Sequence, residues 1–196
     1  MRIVRFSKKT LEKIAKETAN KLNAGKVIAC PTDTVYGLIA DATNRKAVRK
    51  VLLIKGREKT KPLPIFIKDI AMAKKFAKVE PLQEKFLKKV WPGKVTAVLE
   101  SRGILPKETG TQESIGLRIP NYDFVTSLLS AYNKPLTGTS ANLSGEPPLS
   151  DSKEISRQFQ NRKHAPDILI DAGKLPFSRP SKVIDIRRQK AKILRQ

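Results

Sequence analysis

The chain reads as a single α/β domain, residues 1–196, built on a twisted, open, mixed β-sheet with helices flanking it. Two observations predict this. Short apolar or β-branched runs, at residues 27–30, 63–67, 95–99 and 114–119, alternate with stretches whose apolar residues recur at helical spacing. No repeat, composition shift or long linker divides the 196 residues, a length that suits one domain with a sizeable core.

Taken in order, Ser7 can cap a first helix whose apolar stripe is Leu11, Ile14, Ala15, Thr18 and Leu22, closed by Gly25. Residues 27–30 form a short buried strand that Pro31 ends. The stretch Pro31-Thr32-Asp33-Thr34-Val35-Tyr36-Gly37-Leu38 follows. Ligands of α/β sheets gather at strand ends, so it is either a site wall or an Asx/Thr turn. Asn44 caps a second helix carrying Ala47, Val48, Val51 and Leu52, which runs out into Lys55-Gly56-Arg57-Glu58-Lys59-Thr60-Lys61-Pro62. That basic loop is either a solvated face or a phosphate-facing one.

Residues 63–67 are a strand, Asp69 caps a helix through Phe76, and Pro81 opens another with Leu82, Phe86, Leu87 and Val90 inward. Trp91-Pro92-Gly93 breaks it before the strand at 95–99. After a Gly-, Pro- and Thr-rich loop at 101–113, Ser114-Ile115-Gly116-Leu117-Arg118-Ile119 is a strand whose arginine sits among apolar neighbours. It is either on the exposed face or a buried cation awaiting an anionic partner. Phe124, Val125, Leu128 and Leu129 mark a further helix. Asp151 with Glu154 marks the start of the last helix, through Phe159, before strands at 168–171, 183–186 and 192–195.

Between the last two helices lies Thr137-Gly138-Thr139-Ser140-Ala141-Asn142-Leu143-Ser144-Gly145, almost all small residues with hydroxyls and one amide. Such a run has poor helix propensity and little to pack a core with, because its side chains compete for backbone hydrogen bonds. It is a solvated turn or a loop that lets a ligand approach main-chain N–H groups.

Charge is the loudest feature of the composition: 40 Lys+Arg against 18 Asp+Glu, a formal +22. That excess favours polyanionic partners, nucleic acid or nucleotide phosphates; the alternative is a lysine-rich solvated surface. No apolar run reaches bilayer length, and the first residues lack the apolar core of a signal peptide. The expectation is a cytoplasmic protein without a membrane partner. One cysteine, Cys30, and one histidine, His164, exclude a disulfide framework and a zinc site of His and Cys. Cys30 reads as a small buried residue and His164 as a surface one. No Walker loop, dinucleotide fingerprint or Ser-His-Asp order is present.

Pro31–Leu38, Lys55-Gly56-Arg57, Ser114–Arg118, Ser140-Ala141-Asn142-Leu143-Ser144-Gly145 and Pro180-Ser181 before Leu194-Arg195 occur in a characteristic order. Together they resemble the YrdC-like threonylcarbamoyl-AMP synthases, in the short single-domain bacterial form, with that family's K-x-R and S-x-N pairs intact. The resemblance implies a basic concave face and a nucleotidyl transfer. L-threonine, bicarbonate and ATP, with Mg2+ carried on the nucleotide, give threonylcarbamoyl-AMP and pyrophosphate. The product serves the threonylcarbamoyladenosine modification of tRNA, which other tRNA-modification proteins complete.

By the same resemblance, Lys55, Arg57, Ser140 and Asn142 are the catalytic set. Arg57, Lys61, Ser114, Ser140 and Arg195 contact ATP; Thr34, Arg118 and Ser181 hold threonine or its carbamate; no residue is a metal ligand. Phe66 stands where longer relatives often carry histidine.

The residue types suit that chemistry. An anionic carbamate attacking a polyanion needs fixed cations to offset repulsion and the charge developing on pyrophosphate. Lys55 and Arg57, two apart, can face one phosphate chain from an extended loop, and Ser140 and Asn142 can present a hydroxyl and an amide on the opposite wall. The rival reading is a non-catalytic module for double-stranded or structured RNA, which spread cations alone would serve.

Overall fold

The computed structural model describes residues 1–5, 7–56, 62–188 and 191–195. The first half of the chain forms β1 (Arg2–Arg5), α1 (Leu11–Asn23), β2 (Ile28–Cys30), β3 (Gly37–Ile39), α2 (Arg45–Lys55), β4 (Ile65–Phe66), α3 (Ile70–Phe76) and α4 (Pro81–Val90). The second half forms β5 (Val95–Glu100), a 3-10 turn at Lys107–Thr109, β6 (Ser114–Arg118), α5 (Asp123–Tyr132), β7 (Leu136–Thr137), β8 (Thr139–Ser140), α6 (Ser152–Phe159), β9 (Ile168–Asp171), β10 (Lys182–Asp185) and β11 (Lys192–Arg195).

The expected α/β domain is present, with its mixed sheet divided in two. One sheet has the order β1-β9-β2-β3-β8 and the other β11-β10-β5-β6-β4-β7, each combining parallel and antiparallel pairs. They meet at Gly138, the single residue between β7 and β8. Across the joint the Thr137 N–H donates to Ala40 O at 2.9 Å and the Gly138 N–H to Pro64 O at 2.7 Å.

Alternation of side chains along each strand explains the layers. In the first sheet Ile28, Cys30, Ile168 and Ile170 face α1 and α5, whose Ile14, Leu22, Phe124 and Leu128 cover them. Val27, Ala29 and Leu169 face the opposite way onto Val48 and Val51 of α2 and Ile155 and Phe159 of α6. A strand buried on both faces has no polar position, which is why residues 27–30 are continuously apolar. Each fully buried leucine here contributes about 1.5–3 kcal/mol relative to exposure.

The second sheet is covered on one face only. Ala97, Leu99, Ile115 and Leu117 pack on Met72 of α3, Leu87 of α4 and Trp91. The alternate residues, Thr96, Val98, Ser114, Gly116 and Arg118, line a hollow on the other face.

Local signals place most helix starts. Asn44 Oδ1 accepts from the N–H groups of Lys46 and Ala47 at 3.0 and 3.2 Å, and Asp69 Oδ1 from Met72 at 2.6 Å. Gly56 ends α2 in the left-handed region, φ 58°. Three details differ from expectation. The cap of α1 is Thr10, and Ser7 instead forms the turn before it, its N–H donating to Thr10 Oγ1 at 3.0 Å. Leu82 is exposed, because α4 meets the sheet only through Phe86, Leu87 and Val90 in its later turns. Strand β1, absent from the sequence reading, joins β9 in parallel through exposed alternate residues that carry no apolar pattern.

Candidate active site

The hollow over the open face of the second sheet has a volume of about 540 Å3. Its other walls are the segment 32–37, the turn 138–145 and the β10–β11 region. Lys55, Arg118, Arg187 and Arg195 line it, and no Asp or Glu does among the described residues. Thr34, Lys55, Ser114, Arg118, Ser140, Asn142, Ser181 and Arg195, drawn from distant parts of the sequence, all share this cavity. Arg57 and Lys61 lie outside the described residues.

The turn 138–145 is held from below. Lys55, at the end of α2 and only 4% exposed, points its Nζ at Ser140 O (2.7 Å), Asn142 O (2.9 Å) and Asn142 Oδ1 (3.2 Å). Ser140 Oγ donates to Asn142 Oδ1 at 2.5 Å, and Asn142 Nδ2 donates to the carbonyls of Leu143 and Glu146. The expectation that Ser140 and Asn142 present hydroxyl and amide together to a ligand is therefore corrected. The Asn142 amide is spent inside the turn, since buried polar groups must find partners and the nearest acceptors are its own backbone. Lys55 likewise secures the turn, so what it offers the cavity is a nearby positive charge.

On the facing wall, Thr32 Oγ1 donates to Val35 O at 2.7 Å and lies 3.1 Å from Thr34 Oγ1. A hydroxyl has one proton. Thr32 gives its proton to Val35, so Thr34 must donate to Thr32, and the Thr34 oxygen is left as an acceptor on the cavity wall. Tyr36 pins this segment: its hydroxyl donates to Gly173 O at 2.8 Å, and its carbonyl accepts from Ala141 N at 2.7 Å. Burial pushes the Tyr36 phenol up to about 12, so it remains a donor.

Arg118 is 3% exposed. The strand period puts it beside Ser114 and Gly116 on the cavity face, not among the apolar residues of the opposite face. Its Nη2 donates to Asp33 Oδ1 at 2.6 Å and its Nε to Gly93 O at 2.9 Å, with the Phe66 ring 5.8 Å from the guanidinium carbon. The anionic partner of this buried arginine within the chain is Asp33, which its own strand did not show. Burial works against the guanidinium charge, and Asp33 opposes that effect.

Arg195 donates from Nε and Nη2 to Ser181 O at 3.1 and 2.8 Å, and from Nη2 to Ser181 Oγ, which lies 3.1 Å from Thr96 Oγ1. The Phe66 ring packs against Gly138, where an added Cβ would overlap it and come within 2.8 Å of Cζ.

Sequence reasoning did not single out Thr32, Thr96 or Arg187. A polar residue in the β-branched run at 95–99 was the available signal for Thr96, and the basic cluster after Ile186 for Arg187. Arg187 is half-exposed and paired with Asp185 at 2.6 Å. Cys30 is buried and its thiol is pushed up by desolvation, whereas His164 is exposed. Among the described residues no three His, Cys, Asp or Glu side chains converge as a metal site.

The family model Sua5_yciO_yrdC, described as telomere recombination, matches residues 20–196. A Methanocaldococcus jannaschii protein provisionally named threonylcarbamoyl-AMP synthase is 39% identical over 189 residues, covering 96% of this chain and 86% of its own length. Threonylcarbamoyl-AMP synthase of Pyrococcus abyssi is 32% identical over 86% of this chain, which spans only 49% of that protein.

Among solved structures, P. abyssi Sua5 complexed with L-threonine superposes with a TM-score of 0.88 at 30% identity, over 99% of this chain and 56% of the other. E. coli YciO shares the fold, with a TM-score of 0.85 at 22% identity over 100% of this chain and 94% of its own. With a family model matching all but its first residues and relatives of this identity over most of its length, the chain belongs to the Sua5/YciO/YrdC family.

Proposed function

We propose that this chain is an L-threonylcarbamoyl-AMP synthase. It joins L-threonine, bicarbonate and ATP into threonylcarbamoyl-AMP, releasing pyrophosphate. The product feeds the threonylcarbamoyladenosine modification of tRNA, completed by other proteins of the cytoplasm. No described helix is long and apolar enough to cross a membrane. The observation that carries this reading is a 540 Å3 cavity with four cationic side chains, a row of hydroxyls and no carboxylate among its described lining residues.

The carbamate of threonine forms from bicarbonate and the neutral amine with loss of water, and one of its oxygens attacks the α-phosphorus of ATP. The bond to the β,γ-pyrophosphate breaks and the electron pair leaves with it. An anion meets a polyanion in this step, so fixed positive charge lowers the barrier. Arg195 and Arg187 supply it from one wall and Lys55 from beneath the turn 138–145, with Arg57 and Lys61 assigned to the phosphates on the family pattern. Ser114 and Ser140 bind the nucleotide beside them. Magnesium enters as part of the ATP substrate.

Arg118 takes the threonine carboxylate, and Ser181 and Thr34 line the same end. Because Thr34 offers an acceptor, it suits the N–H of the amine or carbamate. No general base is needed once the carbamate is anionic; positioning carries the rate.

An RNA-holding module needs only spread cations, and the convergence of hydroxyls with buried Arg118 favours the synthase. The test is mass-spectrometric detection of threonylcarbamoyl-AMP from ATP, L-threonine and bicarbonate. Binding of RNA with no adenylate and no pyrophosphate would overturn the reading.

A further inference from the structure

We propose that Asp33 is a positioning residue of the amino-acid subsite, locking the Arg118 guanidinium so that Nη1 is the nitrogen presented to a substrate carboxylate. This rests on the synthase reading. Asp33 does not line the cavity; it acts through Arg118.

The two side chains are almost fully buried, 4% exposed for Arg118 and 7% for Asp33. Asp33 uses both oxygens: Oδ1 accepts from Arg118 Nη2 at 2.6 Å, and Oδ2 accepts from the Asn121 N–H at 3.1 Å. It therefore ties the segment after β2 to the end of β6 and to the turn that leads into α5. The third anchor is Gly93 O on Nε, and Gly93 is itself fixed by its N–H bond to Ile119 O at 2.9 Å. With Nε and Nη2 so held, Nη1 is left without a protein acceptor among the described residues.

Such an arrangement solves two problems. A buried guanidinium without a counter-charge is costly and tends to leave its place, and Asp33 balances it while the site is empty. A donor already fixed in its binding geometry loses little freedom when the ligand arrives. Once a substrate carboxylate is bound, Arg118 faces two anions. The guanidinium of Arg195, near enough to act on Arg118 electrostatically, offsets the added charge.

The test pairs calorimetric titration of L-threonine with steady-state pyrophosphate release. For Asp33→Asn, the threonine Kd and KM are expected to rise about tenfold or more, with the ATP KM and kcat at saturating threonine within about twofold of wild type. A threonine Kd unchanged in the folded variant, or equal losses for threonine and ATP, would overturn the role.

In an Arg118→Gln background, adding Asp33→Asn is expected to cost nothing further in threonine affinity, since the two act as one unit; additive losses overturn the proposal. Should Asp33→Asn alone fail to fold, the double variant, which buries neither charge, still delivers that comparison. A wild-type chain that neither binds L-threonine nor releases pyrophosphate overturns the synthase reading and this role with it. A wild-type chain that does both, beside an unaffected variant, overturns only the role of Asp33.

Discussion

The Lys55 ammonium lies 2.7 Å from the Ser140 carbonyl oxygen and 2.9 Å from that of Asn142, joining the last residue of α2 to a turn more than eighty residues away. A cation that lines the cavity is thus also the support of that cavity's wall. Replacing Lys55 by Met leaves the buried Asn142 carbonyl without its donor, while Ser140 O keeps the Asn142 N–H at 3.0 Å. Stability is expected to fall by about 1–3 kcal/mol for that unsatisfied group, checked by urea denaturation. ATP affinity should fall with it, because the turn 138–145 loses its anchor; a variant of wild-type stability would show that the clamp is dispensable.

Gly138 sits at the joint of the two sheets with Phe66 against it. Gly138→Ala is expected to destabilise the protein by about 1–3 kcal/mol through overpacking, read as a lowered melting temperature. Combining it with Phe66→Val, which removes the ring, should recover part of the loss. No recovery would mean that the backbone at 138, not the ring, rejects the methyl group.

Thr32 orients Thr34 by accepting a hydrogen bond from its hydroxyl. Thr32→Val keeps the shape and removes that acceptor, freeing the Thr34 hydroxyl to turn. The expected result is a threonine KM raised about 3- to 10-fold with the ATP KM unchanged, on the order of 1 kcal/mol for one hydrogen bond. Equal KM values for variant and wild type would remove Thr34 from the amino-acid subsite.

The nucleotide end is tested by Arg57→Ala, expected to slow pyrophosphate release about tenfold or more, on the order of 1.4 kcal/mol of transition-state stabilisation. Unchanged turnover in the folded variant would exclude Arg57 from the site.

Acid should loosen the loop that packs against α2. A hydrogen bond from Arg45 holds the Glu108 carboxyl down at about 2, with Arg49 on the same oxygen at 2.9 Å. Because this value lies below the ordinary 4.5, the contribution to stability is present in full above about pH 4.5 and is lost as pH falls toward 2. Urea midpoints of Glu108→Gln measured from pH 6 down to pH 2 are therefore expected to converge on those of wild type at the acid end. A constant gap across the range would show that the Glu108 charge plays no part.

Much of this was legible before any coordinates. Asn44 and Asp69 cap their helices as their positions predict, and the alternation in Ser114-Ile115-Gly116-Leu117-Arg118 contains the division between a packed face and a cavity face. Such signals are readable because a cap or a period of two is settled by residues within a turn or two of one another. The ordered motifs also named residues that turn out to share one cavity, although no local pattern in the chain says that they meet.

The partners of those residues could not be read. Asp33 and Arg118 are 85 positions apart, and Lys55 and Asn142 are 87. Nothing in either neighbourhood marks one as the other's match. Sequence alone determined most of the helices and longer strands, which of their faces are apolar and which family pattern the chain carries, but not the short strands β1, β7 and β8. Only the packing of two sheets around Gly138 decided that Asp33 would balance Arg118 and that Lys55 would hold the turn. The reason is that a buried charge takes whichever counter-group the assembled fold brings within reach.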